Sequence, residues 1–161
     1  MVITFRPFTL QEYNRFEEWS IGSYARSLVS SGTESEKDAL CAAAEEFEEL
    51  LPEGMNTPGN TFLQVQNENG KDVGYVWYAD TEPGEVFLTD FGVGPDYRRQ
   101  GYGFAILRKL EEKLAAEGTV RIRLHVFDNN TPAIRLYQKA GYAVYDHCEP
   151  ASTYMQKEIG T

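Results

Sequence analysis

The sequence predicts an α/β fold in which helices and strands are layered around one mixed sheet. Short runs of alternating apolar and polar residues, the mark of half-buried strands, are interleaved with longer stretches whose apolar residues recur every three or four positions, the mark of amphipathic helices. At 161 residues, 42% of them hydrophobic and with 14 Gly and 7 Pro, the chain has the composition of a folding domain rather than of a disordered or collagen-like one. Its length suits one hydrophobic core of ordinary size, so residues 1–161 read as a single domain.

Residues 2–7 alternate and end at Pro7, a first strand. Thr9 opens a helical stretch with Leu10, Tyr13 and Phe16 near one face, open to interruption at Gly22 and broken at Ser30-Ser31-Gly32. Thr33 and Glu36 have the spacing of a capping box, and Leu40, Ala43, Ala44, Phe47, Leu50 and Leu51 continue a second helix to Pro52. A strand begins at Phe62, Asn69-Gly70 makes a hairpin turn, and residues 73–78 return. Glu82-Pro83-Gly84 then turns into a strand over residues 86–93. There Val86 and Leu88 share one parity and Phe91 and Val93 the other, so either a β-bulge lies near residues 89–91 or the strand is buried on both faces. A helix with Phe104, Leu107, Leu110 and Leu114 follows, ended by Gly118. Ile122, Leu124 and Val126 alternate with Arg121, Arg123 and His125 in the next strand, and Thr131-Pro132 reads as an N-cap and first turn of a short helix stopped by Gly141. Two final strands, near residues 142–147 and 153–158, give the order β α α β β β α β α β β.

The formal net charge of −10 is unevenly spread: residues 1–60 carry −7, residues 61–97 carry −6, residues 98–123 carry +4 and the rest −1. An acidic protein lacks the broad positive field that nucleic acid or an anionic membrane surface requires, whereas a small basic island suits a small polyanion. No apolar run approaches the roughly 18 residues of a membrane span, and the first residues lack a signal-peptide pattern, so a cytoplasmic protein is expected. Cys41 and Cys148 read as free thiols, and His125, His147 and the cysteines have no zinc-ligand spacing, so no metal is expected.

The chemistry is carried by Arg98-Arg99-Gln100-Gly101-Tyr102-Gly103, which joins a strand to a helix N-terminus. Main-chain N–H groups and the helix dipole meet anions there, and glycines let the backbone approach closely. Alone, such a turn also fits an ordinary exposed loop. It is neither a Walker-type P-loop nor a dinucleotide fingerprint, because the Lys-Ser/Thr pair and the G-x-G-x-x-G spacing are missing.

With this motif the sequence resembles the GCN5-related N-acetyltransferase (GNAT) superfamily. Arg98, Gly101 and Gly103 match its pyrophosphate-binding pattern, the run from Val93 to Gly103 is similar to its strand, bulge and loop, and Asn130, Ala133, Leu136, Tyr137, Gly141 and Tyr142 are similar to its asparagine-to-tyrosine helix. The resemblance covers residues 86–142 specifically. It implies a mostly antiparallel sheet of about seven strands flanked by four helices, with a bulge and splayed central strands. It implies acetyl-coenzyme A as cosubstrate and a primary amine, on a small molecule or peptide, as acceptor in a direct ternary-complex transfer. The backbone of Phe91 and Val93 would line the pantetheine arm, the amides of Arg99, Gln100, Gly101, Tyr102 and Gly103 would hold the pyrophosphate with Arg98 adding charge, and Asn130 and Ala133 would lie beside the arm.

Acyl transfer needs a deprotonated amine, a stabilised oxyanion and a proton for the departing thiolate. By the resemblance Tyr137 is the general acid; a packing tyrosine is the plainer reading. Two residues compete for the base: His125 on its strand, which also fits a satisfied sheet histidine, and Asp90 at the inferred bulge, which also fits a bulge-capping carboxylate. The first two helices bring Tyr13, Phe16, Trp19, Tyr24 and many carboxylates toward the region where the family binds its acceptor. A module that binds acyl-coenzyme A without turnover is the alternative function, and the exposed final strands suit a homodimer.

Overall fold

The computed structural model describes residues 1–160 of the chain. Strand β1 (Thr4–Pro7) leads into helix α1 (Leu10–Ser30) through a capping box. The Glu12 amide donates to the Thr9 hydroxyl at 3.1 Å, and the Thr9 amide donates to the Glu12 carboxylate at 2.8 Å. Such a cap contributes about 1 kcal/mol. Arg6 donates two hydrogen bonds to the same carboxylate, at 2.9 and 2.8 Å, which ties β1 to the start of α1. The helix runs unbroken through Gly22, because Ser20, Ala25 and Leu28 are buried along one face on both sides of it. Helix α2 (Glu36–Leu50) starts from Ser35, whose hydroxyl accepts from the Asp38 amide, and not from Thr33. The amides of Thr33 and Glu34 bond back to the Leu28 carbonyl, so these residues belong to the turn that closes α1. Its buried face is Ala39, Ala43 and Phe47; Leu40 and Leu50 are exposed.

A 3₁₀ turn (Gly54–Asn56) precedes β2 (Asn60–Gln66), β3 (Asp72–Glu82) and β4 (Glu85–Val93). Then follow α3 (Tyr102–Ala116), β5 (Arg121–Phe127), α4 (Thr131–Lys139), β6 (Ala143–Cys148) and β7 (Ser152–Glu158). The seven strands form one sheet in the order β1-β2-β3-β4-β5-β7-β6. Every neighbouring pair is antiparallel except β4 and β5. On one face Ile106, Leu107, Leu110 and Leu114 of α3 pack against Val76, Leu88, Ile122 and Leu124, and each such side chain contributes about 1.5–3 kcal/mol by its burial. On the other face Phe16 and Phe47 pack against Phe62 and Trp77. This is the α/β architecture that the sequence predicts. Among the described residues no helix is long and apolar enough to cross a membrane.

Two features open the sheet at its centre. In the β3–β4 ladder Trp77 faces Asp90 while Tyr78 faces Leu88, so Thr89 is an extra residue. This bulge reverses the parity of β4 and lets Phe91 and Val93 join the same core as Val86 and Leu88. The parallel β4–β5 ladder runs from Glu85 opposite Arg121 to Leu88 opposite Leu124 and stops there. Beyond it residues 89–93 and 125–127 have no ladder between them, and a cleft occupies the gap.

Candidate active site

The open edge of β4 is shaped by small residues behind it. A Cβ on Gly92 would lie 2.7 Å from the ring of Tyr75, so only glycine lets that ring cross the strand. Placed there, Tyr75 donates its hydroxyl to the Asp90 carboxylate at 3.0 Å. Burial pushes the Asp90 carboxyl up to about 7, against the downward pull of the Tyr75 hydroxyl and the Phe91 amide, both of which hydrogen-bond its charged form. Gly94 donates its amide to the Val73 carbonyl at 2.8 Å, so by strand alternation Gly92 also faces β3 while the main-chain groups of Phe91 and Val93 point into the gap. Arg98 fixes the Val93 carbonyl through its Nε at 3.1 Å, which leaves the Val93 N–H as the free donor of that residue.

The loop that follows turns sharply into α3. Arg99 and Gly101 have φ of 62° and 88°, in the left-handed region, and a Cβ on Gly101 would meet nothing within 4 Å, so its backbone angle is what calls for glycine. Gly101 is the N-cap of α3, without a side-chain cap. The amides of Tyr102, Gly103 and Phe104 therefore end the helix with neither an intrahelical acceptor nor a capping side chain. Gln100 braces the loop by donating to the Asp96 carbonyl at 3.2 Å. The Tyr102 side chain is buried against Tyr97, which leaves only its amide to the loop. A Cβ on Gly103 would stand 3.1 Å from Leu136, so glycine there lets α3 approach α4.

Helix α4 holds Tyr137 through both of its ends. Asn130, rather than Thr131, is the N-cap, its Oδ1 accepting from the Ala133 amide at 3.3 Å. At the other end the Tyr142 amide bonds the Tyr137 carbonyl and the Gly141 amide bonds the Gln138 carbonyl, with Gly141 at φ 98°. This is a Schellman ending, completed by contact of the Tyr137 and Tyr142 rings at 5.7 Å. Lys157 reinforces it, donating to the Ala140 carbonyl at 2.6 Å and to Glu111 at 2.8 Å. Tyr137 also packs edge-on to Phe91 at 6.0 Å. Burial and the Asp90 charge raise its pKa, so the phenol stays protonated.

His125 points to the α1–α2 side of the sheet, shares a hydrogen bond with Ser152 at 2.9 Å through Nε2, and is pushed below its ordinary pKa by burial, against the opposing charges of Glu46 and Asp128. One cleft of about 860 Å³ is lined by Asp90, Phe91, Val93, His125 and Tyr137, together with Gly103, Asn130 and Ala133. Arg98, Arg99, Gln100, Gly101 and Tyr102 lie outside that lining, in the loop that enters α3. Tyr13 and Phe16 are buried in the core, whereas Tyr24 reaches the cleft. Sequence reasoning missed Tyr75 and Tyr154, and it held Glu46 only among the carboxylates of the first two helices, of which the cleft takes this one. Counting back along the β3–β4 hairpin with one bulged residue reaches Tyr75 opposite Gly92, which is the signal for the first; Tyr154 has no linear signal.

A mixed sheet parted between its two parallel strands, beside an uncapped helix N-terminus, is the architecture of an acetyltransferase. The sequence model of the Acetyltransferase (GNAT) family matches residues 14–142, and the chain belongs to that family. It is 33% identical over 147 residues to the uncharacterized N-acetyltransferase YdgE of Bacillus subtilis (strain 168), covering 89% of this chain and 94% of that one. To the uncharacterized N-acetyltransferase YycN of the same organism it is 30% identical over 149 residues, covering 91% and 96%. The crystal structure of YycN matches with a TM-score of 0.88 at 28% identity over 92% of this chain and 97% of that one. The fold is also that of the PaiA N-acetyltransferase of Thermoplasma acidophilum, solved in complex with coenzyme A, with a TM-score of 0.72 at 20% identity over 98% and 99% of the two chains.

The residues present fit an acyl-coenzyme A. The uncapped amides at the start of α3 and the exposed Arg98 and Arg99 suit a pyrophosphate, and the unladdered edge of β4 offers main-chain groups to an extended amide-bearing arm.

Proposed function

We propose that the protein is an acetyl-coenzyme A-dependent N-acetyltransferase that acts on a primary amine by direct attack. The observation that carries this reading is the meeting, in one cleft at the parted strands, of the half-buried Asp90 carboxyl, which its surroundings push up to about 7, and the buried Tyr137 phenol. When bound, the cosubstrate supplies an activated acyl carbon. The amides from Arg99 to Gly103 hold its pyrophosphate, and the main chain of Phe91 and Val93 aligns its arm, with Asn130 and Ala133 alongside. Asp90 takes the proton that the amine must lose as its nitrogen bonds the acyl carbon. The Val93 N–H donates to the acyl oxygen, on which negative charge grows. Tyr137 gives its proton to the sulfur as the carbon–sulfur bond breaks. Asp90 is assigned the base role in preference to His125, because the His125 Nε2 is engaged by Ser152, whereas Asp90 lies at the bulge beside the open edge of β4.

The test incubates the protein with acetyl-coenzyme A and a panel of primary amines, reading free thiol and the mass of the acetylated amine. Thiol release coupled to an amine 42 Da heavier, about the mass of an acetyl group less a proton, is the expected result. Tight coenzyme A binding without turnover of any amine would replace this reading with that of a non-catalytic acyl-coenzyme A sensor.

A further inference from the structure

The cleft assigned to acyl transfer is electrostatically one-sided. Among the described residues that line it are three carboxylates, Glu46, Asp90 and Glu149, and no lysine or arginine. Asp90 sits at the bulge; Glu46 comes from α2, on the face of the sheet that α1 and α2 cover. An aromatic wall runs across this part of the cleft. Tyr24 of α1 packs on Phe127 at 6.1 Å, Phe127 meets His125 edge-on at 4.8 Å, and His125 meets Tyr154 of β7 at 5.2 Å. The Glu46 carboxylate is near enough that its charge opposes loss of a proton from Tyr24, His125 and Tyr154 alike. Burial keeps the imidazole of His125 below its ordinary pKa, so it brings little positive charge at neutral pH. Among the described residues no lysine, arginine or histidine pairs with Glu46 within 4.0 Å. Glu45, Glu48 and Glu49 of the same helix lie outside the cleft lining, so Glu46 is the carboxylate that α2 turns toward it.

A carboxylate without a protein cation, set beside aromatic rings, has the chemistry to hold an ammonium group by ion pairing and cation–π attraction. We propose that Glu46 with Tyr24, Phe127 and Tyr154 forms a subsite for a second ammonium, so that the preferred acceptor is an aliphatic diamine or polyamine with one amine at Asp90 and another at Glu46. This deepens the acetyltransferase reading and rests on it for the role of Asp90. The remaining lining on that side, with Ser20, Ser23 and Ser27 of α1, gives the connecting methylenes and their water a neutral surface.

The test is calorimetric and needs no turnover. The protein loaded with coenzyme A is titrated with α,ω-diaminoalkanes of increasing length and with 1-aminoalkanes of matching length. The best diamine binds about ten-fold or more tightly than its monoamine. Glu46→Gln brings that ratio close to one, and Glu48→Gln, on the outer side of α2, leaves it intact. Equal affinities, no measurable binding of any diamine, or a preference that survives Glu46→Gln would overturn the subsite. Turnover of the same amines separates the two readings. Acetylation without a diamine preference removes the subsite alone, and a diamine preference without acetylation removes the transferase reading alone.

Discussion

Removing the Tyr75 hydroxyl tests whether the hydrogen bond on Asp90 sets the pH range of the reaction. Tyr75 reaches Asp90 across Gly92, and its 3.0 Å bond to Asp90 Oδ2 stabilises the carboxylate against a burial that pushes the carboxyl to about 7. A hydrogen bond to a charged group contributes about 1.5–3 kcal/mol, and 1.36 kcal/mol corresponds to one pH unit, so Tyr75→Phe should raise the Asp90 pKa by about 1–2 units. The ring itself keeps its contacts with Phe16 at 5.0 Å and Trp19 at 5.6 Å, so the substitution removes an oxygen and little packing. The assay is kcat/KM for the amine against pH at saturating acetyl-coenzyme A. The wild-type acidic limb rises through about 7; in Tyr75→Phe it moves to about 8–9, so the variant is about five- to fifty-fold slower at pH 7 and approaches the wild type at high pH. A merely structural role would depress the profile at every pH. An acidic limb that stays in place in Tyr75→Phe would refute the assignment of Asp90 as the base.

The same carboxyl affects stability. Asp90 titrates at about 7 in the folded chain against an ordinary 3.8, so the folded state binds more protons between those values and stability falls as pH rises from about 4 to about 7. Asp90→Asn should therefore lose activity while gaining stability at pH 8, by up to about 4 kcal/mol and by much less near pH 4, read by denaturant unfolding at both pH values; a pH-independent difference would contradict the shift. Tyr137→Phe should lower kcat by about 10²-fold with acetyl-coenzyme A affinity within a factor of about two, measured by steady-state rates and calorimetry. Gly101→Ala should cost about 1–2 kcal/mol of stability, because φ is 88° there, and weaken coenzyme A binding. Gly101→Asn, which tolerates that angle better, should recover part of both, so equal losses in the two variants would point away from backbone strain.

The fold was legible where local chemistry dictates it. Asn69-Gly70 and Glu82-Pro83-Gly84 mark the two hairpin turns, and the parity change between Leu88 and Phe91 marks the bulge before any ladder is known. Boundaries that depend on long-range partners were less legible. Thr33 carries a capping signature yet closes α1, because its amide finds the Leu28 carbonyl, and Thr131 yields the N-cap of α4 to Asn130, whose side chain reaches the Ala133 amide. Leu40 and Leu50 fit the helical period but lie off the face that α2 packs on α1, which small Ala39 and Ala43 line instead. At the site, residues next to one another in sequence were readable and those joined across the sheet were not. Arg98 to Gly103 form a contiguous loop, whereas the bond from Tyr75 to Asp90 depends on β3–β4 register and Glu46 enters the cleft from a separate helix.

The extra residue at Thr89 has a consequence for how this site tolerates change. The opening between β4 and β5 depends on chain length, not on what any one side chain at that position can do. Most extended-tolerant residues could replace Thr89 and preserve the count. Deleting Thr89 would leave residues 90–93 on the faces they already occupy but turn β4 into a regular, strictly alternating strand, removing the bulge beside which it parts from β5. For β4, then, a frame-preserving loss of a single codon is a heavier lesion than almost any replacement at the same place.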